Sequence, residues 1–443
     1  MFIDLLLSIF TVLTFFQAGL VCDYYLFSKR KFRFDPAIFL ALGIGSVAVF
    51  QMALGLLGIF LNRFSVIALI TITLLPYVLD RQLRGQAFGV VSGYRNIFKG
   101  NNILMISIFF VFAVVLGFFV FSHPVWGYDA IQRWLAKAYV FWVDGVVNRT
   151  NIHVVSPADD PNLWPLTASW SYYLLGKADL FWVQVIPFTV LFCLIMRFWQ
   201  IVRRGSFGLL WLFIFMFTPF LWQTVTLKAY SGNADLLVSF YFLLAFSSLF
   251  YREAIYAAVF FGLAALTKND ALPALLAFCV LMPIIGWRSK EKYPTLALIV
   301  GLGLLLFNLG FKYYFSLSSR YLDSDWGFVL KQRPIVEYTK YSLQSFREEF
   351  RQVNHWGIAF LVIGFFVISR IGKVFKDRTL LFGSILISAQ IVGYIWTYYV
   401  TKEDQASQIA TSIYRLVLQV YPAILLLAFV LYSGLPKFGN KVK

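Results

Sequence analysis

Long apolar runs alternate with short polar segments along the whole chain. Most of these runs contain roughly 17 to 25 residues, the length with which an α-helix crosses about 30 Å of hydrocarbon. The pattern predicts an all-α integral membrane protein, a polytopic bundle of about 13 transmembrane helices in a single domain over residues 1–443. The candidate spans cover about residues 2–27, 37–61, 65–79, 102–121, 181–202, 206–226, 234–250, 254–268, 271–287, 295–314, 357–371, 380–400 and 414–432.

Lysine and arginine occur mainly in alternate short loops, and this asymmetry predicts the orientation of the bundle. With the amino terminus outside, the basic residues within 29–33, 81–99, 203–204, 288–292 and 370–378 are cytoplasmic. The two longest polar segments, about 122–180 and 315–356, then become outer loops. Most acidic residues between Asp129 and Asp404 fall on the same outer face, so we expect any chemistry to take place there.

Composition agrees with a chain whose main solvent is lipid. Of the 443 residues, 60% are hydrophobic and 13% charged, and the mean hydropathy is +0.75. The three cysteines lie within apolar runs, which predicts neither a disulfide nor a zinc site. The net charge of +17 is explained by basic cytoplasmic loops, so we expect membrane lipids and no nucleic acid as partners. The first run has no basic segment before it and no cleavage site after it, which predicts a retained span.

The predicted orientation can be tested with single introduced cysteines and a membrane-impermeant maleimide. We expect labelling from the outside at positions within 145–160 and 320–350, and none at positions within 85–98, because the last range lies in a basic loop. Labelling of Ser92→Cys only from the outside would reverse the orientation and move the acidic face to the cytoplasm.

The first outer loop begins with an aspartate ahead of a predicted amphipathic helix. After Asp129, apolar residues at positions 131, 134, 135, 138 and 142 share one helical face, with Arg133 and Lys137 opposite. Such a helix typically lies in the headgroup plane, with Trp134 at the boundary between lipid and water. Asp129 is then either an N-cap or a functional carboxylate. Lys137 is either a snorkelling cation or a substrate contact.

The same loop contains a pair of adjacent carboxylates, Asp159 and Asp160, followed by Pro161. They are either ordinary loop residues or ligands for a sugar hydroxyl or a divalent cation. The apolar stretch from Leu163 to Leu175 is too short to cross the bilayer, which predicts an in-plane or re-entrant helix. The three histidines lack the spacing of metal ligands, and no residue pattern calls for a redox cofactor.

Polar residues also mark the predicted outer ends of later spans. They are Lys228, Asn233 and Asp235 after the sixth span, Lys268 and Asp270 after the eighth, and Arg415 at the start of the last. Asp235 is either a helix cap or a functional group, and Arg415 either snorkels to the headgroups or binds a ligand. Ionisable groups this close to a membrane core are costly, so they favour a functional interpretation. Carboxylates and cations on one face suit phosphate-bearing amphiphiles.

The order and placement of these motifs resemble the GT-C superfamily of membrane glycosyltransferases, especially the bacterial branch related to aminoarabinose transferases and protein O-mannosyltransferases. The resemblance covers most of the chain from His123 onward. It is carried by Tyr128-Asp129 with Trp134 and Lys137, by Leu163-Trp164-Pro165-Leu166, by Gly232-Asn233-Ala234-Asp235, by Leu266-Thr267-Lys268-Asn269-Asp270, and by Arg415 with Tyr421-Pro422. The sequence departs from many members in having three spans before the loop and in carrying Asp270 where glutamate is commoner.

This resemblance implies an enzyme that moves a sugar from a polyprenyl-phosphate donor to a glycan, lipid or protein acceptor, with inversion at the anomeric carbon. Asp129 matches the catalytic carboxylate of the family and would act as general base on the acceptor hydroxyl. Lys268, Arg415 and Lys228 are the candidates for the donor phosphate, and Asn233, Asp235, Asp270, Trp134, Lys137, Asp159 and Asp160 for the sugar or acceptor. The bacterial branch implies an inner-membrane protein with its site on the extracytoplasmic side.

Two other classes of function are compatible with a polytopic membrane protein. A transporter or flippase of a lipid-linked or amphiphilic substrate also has many spans and a few charged residues, but carriers typically place charges near the midplane, at broken helices within inverted repeats. A non-enzymatic scaffold would leave the outer acidic and basic residues unexplained. The predicted position of the charges, at the outer ends of spans, favours the transferase.

Overall fold

The computed structural model describes residues 2–28, 35–85, 102–155, 157–203, 205–227, 231–286, 293–317, 334–400 and 404–434. Within these ranges the chain is helical and has no β-strand, which confirms the predicted all-α class. The helices are α1 (Phe2–Asp23), α2 (Pro36–Leu56), α3 (Arg63–Leu79), α4 (Asn102–Val120), α5 (Ala136–Asp144), α6 (Leu163–Leu175), α7 (Val185–Val202), α8 (Gly208–Met216), α9 (Pro219–Thr226), α10 (Asp235–Phe250), α11 (Ala254–Thr267), α12 (Leu272–Leu281), α13 (Pro294–Tyr314), α14 (Ile335–Glu349), α15 (Val353–Trp356), α16 (Ala359–Lys376), α17 (Arg378–Val400) and α18 (Gln405–Ser433).

Several of these helices are long and apolar enough to cross a membrane. Six qualify among the described residues, namely Phe2–Leu26, Pro36–Leu56, Trp182–Val202, Pro294–Tyr314, Arg378–Val400 and Gln405–Ser433. The pair α8 and α9, bent by 44°, makes a seventh if it counts as one span. These helices support a multi-pass membrane protein. The remaining predicted spans coincide with other helices, most of them shorter, and the total of about 13 spans stays a prediction.

The chain folds into two compact units. The first contains residues 1–155, 162–193 and 223–233, and the second contains residues 156–161, 194–222 and 234–443. Neither unit is a continuous stretch of sequence, because the second unit includes residues 156–161 of the first outer loop and the first unit includes residues 223–233.

Helices α1 and α2 of the first unit pack antiparallel at the distance of backbone contact. A Cβ atom added at Gly19 would lie 1.7 Å from the carbonyl oxygen of Phe39, and one added at Gly43 would lie 1.7 Å from that of Phe15. Only glycine fits at such a crossing, and small residues allow this close approach in membrane helices.

The short helix α6 lies inside the first unit. All of its residues are buried, and Gln51 of α2 donates to the carbonyl oxygen of Leu166 at 2.9 Å. Trp170 donates from Nε1 to the hydroxyl of Thr14 in α1 at 3.1 Å. The predicted short helix therefore exists, and it packs against α1, α2, α3 and α5.

Helical hairpins build the second unit. The rings of Phe246 in α10 and Phe261 in α11 have centroids 5.3 Å apart, and those of Phe261 and Phe278 in α12 are 5.5 Å apart. Helix α11 is therefore antiparallel to both α10 and α12. The α18 helix packs against α10, where the Ser239 hydroxyl donates to the carbonyl oxygen of Leu418 at 2.8 Å.

Candidate functional site

Asp235, the first residue of α10, is the centre of a buried polar network in the second unit. Its side chain is 3% exposed. Its Oδ1 atom accepts hydrogen bonds from Lys268 Nζ at 2.9 Å and from Gln419 Nε2 at 2.7 Å. Its Oδ2 atom accepts from Arg415 Nε at 2.8 Å. One carboxylate thus holds two cations from two different helical elements.

Lys268 lies at the turn between α11 and α12. Its backbone is extended, with φ −154° and ψ 138°, and its N–H bonds to the carbonyl oxygen of Ala264, so α11 ends there. Its Nζ atom also pairs with Asp270 Oδ2 at 2.8 Å. We call the four residues Asp235, Lys268, Asp270 and Arg415 the charge cluster. Asp235, Lys268 and Asp270, which lie at helix termini, are in contact with one another, and their position on the outer face of the membrane stays a prediction.

Arg415 has a different setting from the one predicted. The last span was expected to begin near residue 414, but α18 begins at Gln405, so Arg415 lies well inside the helix. The helix is longer than a bilayer crossing requires, so the position of Arg415 at the entrance of the membrane span stays a prediction. It faces Asp235 from the interior of α18, next to the helical turn that contains Gln419.

Three uncharged residues that the sequence analysis did not select complete the network. Gln390 donates to the backbone oxygen of Asp270 and accepts from the Ala274 N–H at 3.0 Å. Tyr394 donates to Gln419 Oε1 at 2.9 Å. Gln390 and Tyr394 lie in α17, and all three are polar residues inside apolar runs, the signal that could have identified them.

The charge cluster contains two carboxylates and two cations, so its formal charges cancel. Burying a charge is costly unless it is paired and hydrogen-bonded, and Asp235 satisfies both conditions with two cations and one amide. Such a network holds its members in fixed positions, and removing one member leaves the others buried without compensation.

The paired carboxylates of the outer loop lie in the second unit beside a lysine. Asp159 and Asp160 are 4% and 5% exposed, and the Asp159 carbonyl oxygen accepts from Asn269 Nδ2 at 3.0 Å. Lys312 donates to Asn269 Oδ1 at 2.5 Å and interacts electrostatically with both carboxylates. Within the described parts of the chain, no group of three or more His, Cys, Asp or Glu side chains could hold a metal ion. Among the described residues, Asp159 and Asp160 therefore have no third acidic, histidine or cysteine side chain with which to hold a divalent cation.

Asp129 lies in the first unit, where the helix of the first outer loop begins. It is half-buried, and the six residues after it, Ala130–Leu135, form a π-helical turn that leads into α5. Its side chain makes no capping hydrogen bond. The interpretation of Asp129 as an N-cap is therefore wrong, because a cap would accept from a backbone N–H of the first turn.

The helix after Asp129 buries more of its surface than the periodicity predicts. Trp134, expected at the boundary between lipid and water, is fully buried in the protein, as is Ala138, and Lys137, placed on the opposite face by the pattern, is only 1% exposed. The interpretation of Lys137 as a snorkelling, solvent-facing side chain is therefore wrong. Arg133 is half-buried and lies over the Trp134 ring, 5.4 Å from its centroid.

The loop before α10 contacts both α6 and the start of the helix that follows Asp129. A Cβ atom added at Gly232 would lie 3.0 Å from a methyl carbon of Val125 and 3.2 Å from Cβ of Ala130. Trp164 of α6 donates from Nε1 to the Gly232 carbonyl oxygen at 2.7 Å. Asn233 follows directly in the chain. The predicted phosphate contact Lys228 lies outside the described residues.

The candidate residues therefore fall into two groups. Asp129, Trp134, Lys137 and Asn233 belong to the first unit, and Asp159, Asp160, Asp235, Lys268, Asp270 and Arg415 belong to the second. No protein-family model, no curated protein and no solved structure matches the chain.

Proposed function

We propose that this chain is a membrane glycosyltransferase, which moves a sugar from a polyprenyl-phosphate donor to an acceptor at the non-cytoplasmic face. The observation that carries the proposal is the charge cluster, in which Lys268 and Arg415 share the carboxylate of Asp235. Two cations on adjacent oxygens of one carboxylate are held side by side, the arrangement that a phosphate with several acceptor oxygens requires.

In the proposed reaction the two cations stabilise the leaving phosphate. Negative charge develops on the polyprenyl phosphate as the bond to the anomeric carbon breaks, and fixed cations in a site without water stabilise that charge strongly. Asp235 and Gln419 position the cations. The acceptor hydroxyl loses its proton to a general base, the role that the family resemblance assigns to Asp129 of the first unit. The bond from the acceptor oxygen to the anomeric carbon forms as the bond to the phosphate oxygen breaks.

The position of the charges within the helices favours a transferase over a transporter. Carriers typically bind their substrate where one membrane helix is interrupted near its middle. Lys268 and Asp270 lie instead at the turn of a hairpin, since α11 and α12 double back on each other at Phe261 and Phe278. Asp235 lies at the first residue of α10.

The proposal is tested with the purified protein in lipid nanodiscs, a radiolabelled polyprenyl-phosphate sugar and a membrane extract as acceptor. We expect covalent transfer of label to the extract, and no transfer when a nucleotide sugar replaces the lipid-linked donor. Empty nanodiscs provide the control. If proteoliposomes moved the labelled lipid across the bilayer and formed no covalent product, the chain would be a flippase.

A further inference from the structure

Several polar side chains in the first unit are buried without a hydrogen-bond partner. Nε1 of Trp134, Oδ1 of Asn162, Oγ of Ser231 and Oδ1 of Asn233 are inaccessible and make no hydrogen bond within the described structure. Trp134, Asn162 and Ser231 are 0%, 1% and 1% exposed. A buried polar atom without a partner costs free energy, so such atoms are rare and call for an explanation.

These four residues come from three segments that meet at Gly232. Ser231 and Asn233 flank Gly232 in the chain, and Gly232 contacts Ala130, which lies one helical turn before Trp134. Asn162 precedes α6 by one residue, and Trp164 of α6 donates to the Gly232 carbonyl oxygen. The segments that carry these four residues therefore meet at Gly232.

The chemistry of the four atoms points to a neutral ligand. The indole N–H is a donor, the two amide oxygens are acceptors, and the serine hydroxyl can play both roles. Carbonyl oxygens repel phosphate and carboxylate groups, whereas the hydroxyls of a sugar donate and accept at once. Ala130, which contacts Gly232, directly follows Asp129 in the sequence.

We infer that Trp134, Asn162, Ser231 and Asn233 form a binding site for the hydroxyl groups of an uncharged sugar ring. Whether that sugar belongs to the donor or to the acceptor depends on the proposed function, whereas the binding of a free sugar is independent of that proposal. The site does not bind the phosphate group, and it selects its ligand by the pattern of hydrogen-bond donors and acceptors on the sugar.

The test uses methyl hexopyranosides and methyl pentopyranosides as phosphate-free probes of the full chain in nanodiscs. We expect saturation-transfer NMR to detect binding of at least one probe, and Ser231→Ala and Trp134→Phe to weaken it by about two- to tenfold, as for one neutral hydrogen bond. Ser248→Ala is the matched control, because the Ser248 hydroxyl is also buried and unpartnered but lies in the apolar helix α10. It should leave probe binding unchanged.

Thermal unfolding without ligand distinguishes a sugar site from a site for buried water. If the Ser231 hydroxyl has no partner in the free protein, Ser231→Ala should keep or raise the unfolding temperature, as Ser248→Ala should. A lower unfolding temperature for Ser231→Ala alone would show a structural water and overturn the site. So would the absence of probe binding, or equal weakening by Ser248→Ala. Probe binding without sugar transfer would refute the proposed function and keep the site, whereas transfer without probe binding would do the reverse.

Discussion

Replacement of Asp129 by asparagine is expected to abolish sugar transfer while leaving membrane insertion, stability in detergent and donor binding nearly unchanged. Asparagine has the same volume, and the Asp129 side chain makes no capping hydrogen bond that the change could break. An amide cannot accept the proton of the acceptor hydroxyl, and loss of a general base commonly costs about 100-fold to 10,000-fold in rate. The measurement is the turnover rate with a radiolabelled polyprenyl-phosphate sugar.

Two further variants sharpen this test. Asp129→Glu should retain little activity, because a shift of the carboxylate by one methylene spoils the geometry of attack. Asp144→Asn is the matched control, since Asp144 is the exposed carboxylate at the other end of the same helical stretch. It should transfer sugar at the normal rate. Normal transfer by Asp129→Asn would refute the proposed mechanism.

The second large effect is expected on stability, from the loss of Asp235. In Asp235→Ala, Lys268 stays buried and Arg415 stays largely buried, at 12% side-chain exposure, while the carboxylate that both contact is gone. Removing one partner from a buried ion pair typically costs about 3–5 kcal/mol of unfolding free energy. Equilibrium unfolding in mixed micelles measures this loss. Asp235→Leu combined with Arg415→Met should recover most of it, because the remaining pair of Lys268 and Asp270 is again neutral.

Lys177→Ala provides the control for this second prediction. Lys177 pairs with Asp4 at 3.0 Å, a distance similar to those around Asp235, but its side chain is 50% exposed. Hydrogen bonds to Asp4 and Asp179 raise the pKa of Lys177, yet water already solvates the ammonium, so its removal should change stability little. If Asp235→Ala were as mild as Lys177→Ala, the charge cluster would not stabilise the second unit.

The hydrophobic pattern was sufficient to predict where helices form, because an apolar run of this length has few other structures available in lipid. It also placed Asp235, Lys268 and Asp270 at one end of their helices, since the orientation of successive spans alternates. It could not predict that one carboxylate serves both cations. That contact depends on which helices are neighbours, and nothing in the separate runs specifies that α18 packs against α10.

Lys137 and Gln419 illustrate two limits of prediction from the sequence. The pattern predicted the wrong environment for Lys137, and it did not identify Gln419 as part of the network. The helical periodicity assigned Lys137 to a polar face, whereas the surrounding structure buries that residue. Gln419 stands as a single polar residue in an apolar run, where a buried amide and a lipid-facing one give the same pattern. Both outcomes follow from tertiary packing and not from local preference.

The balance of charge in the cluster determines over what distance it can act. The whole chain carries a formal net charge of +17, but Asp235, Lys268, Asp270 and Arg415 together contribute none. Opposite charges at contact distance produce a field that fades within a few ångströms, well inside the Debye length of about 8 Å at physiological salt. The cluster therefore exerts no long-range attraction on an anion. The cluster can distinguish one ligand from another only after contact. Dissolved salt therefore has little influence on how often a membrane-bound ligand encounters the cluster.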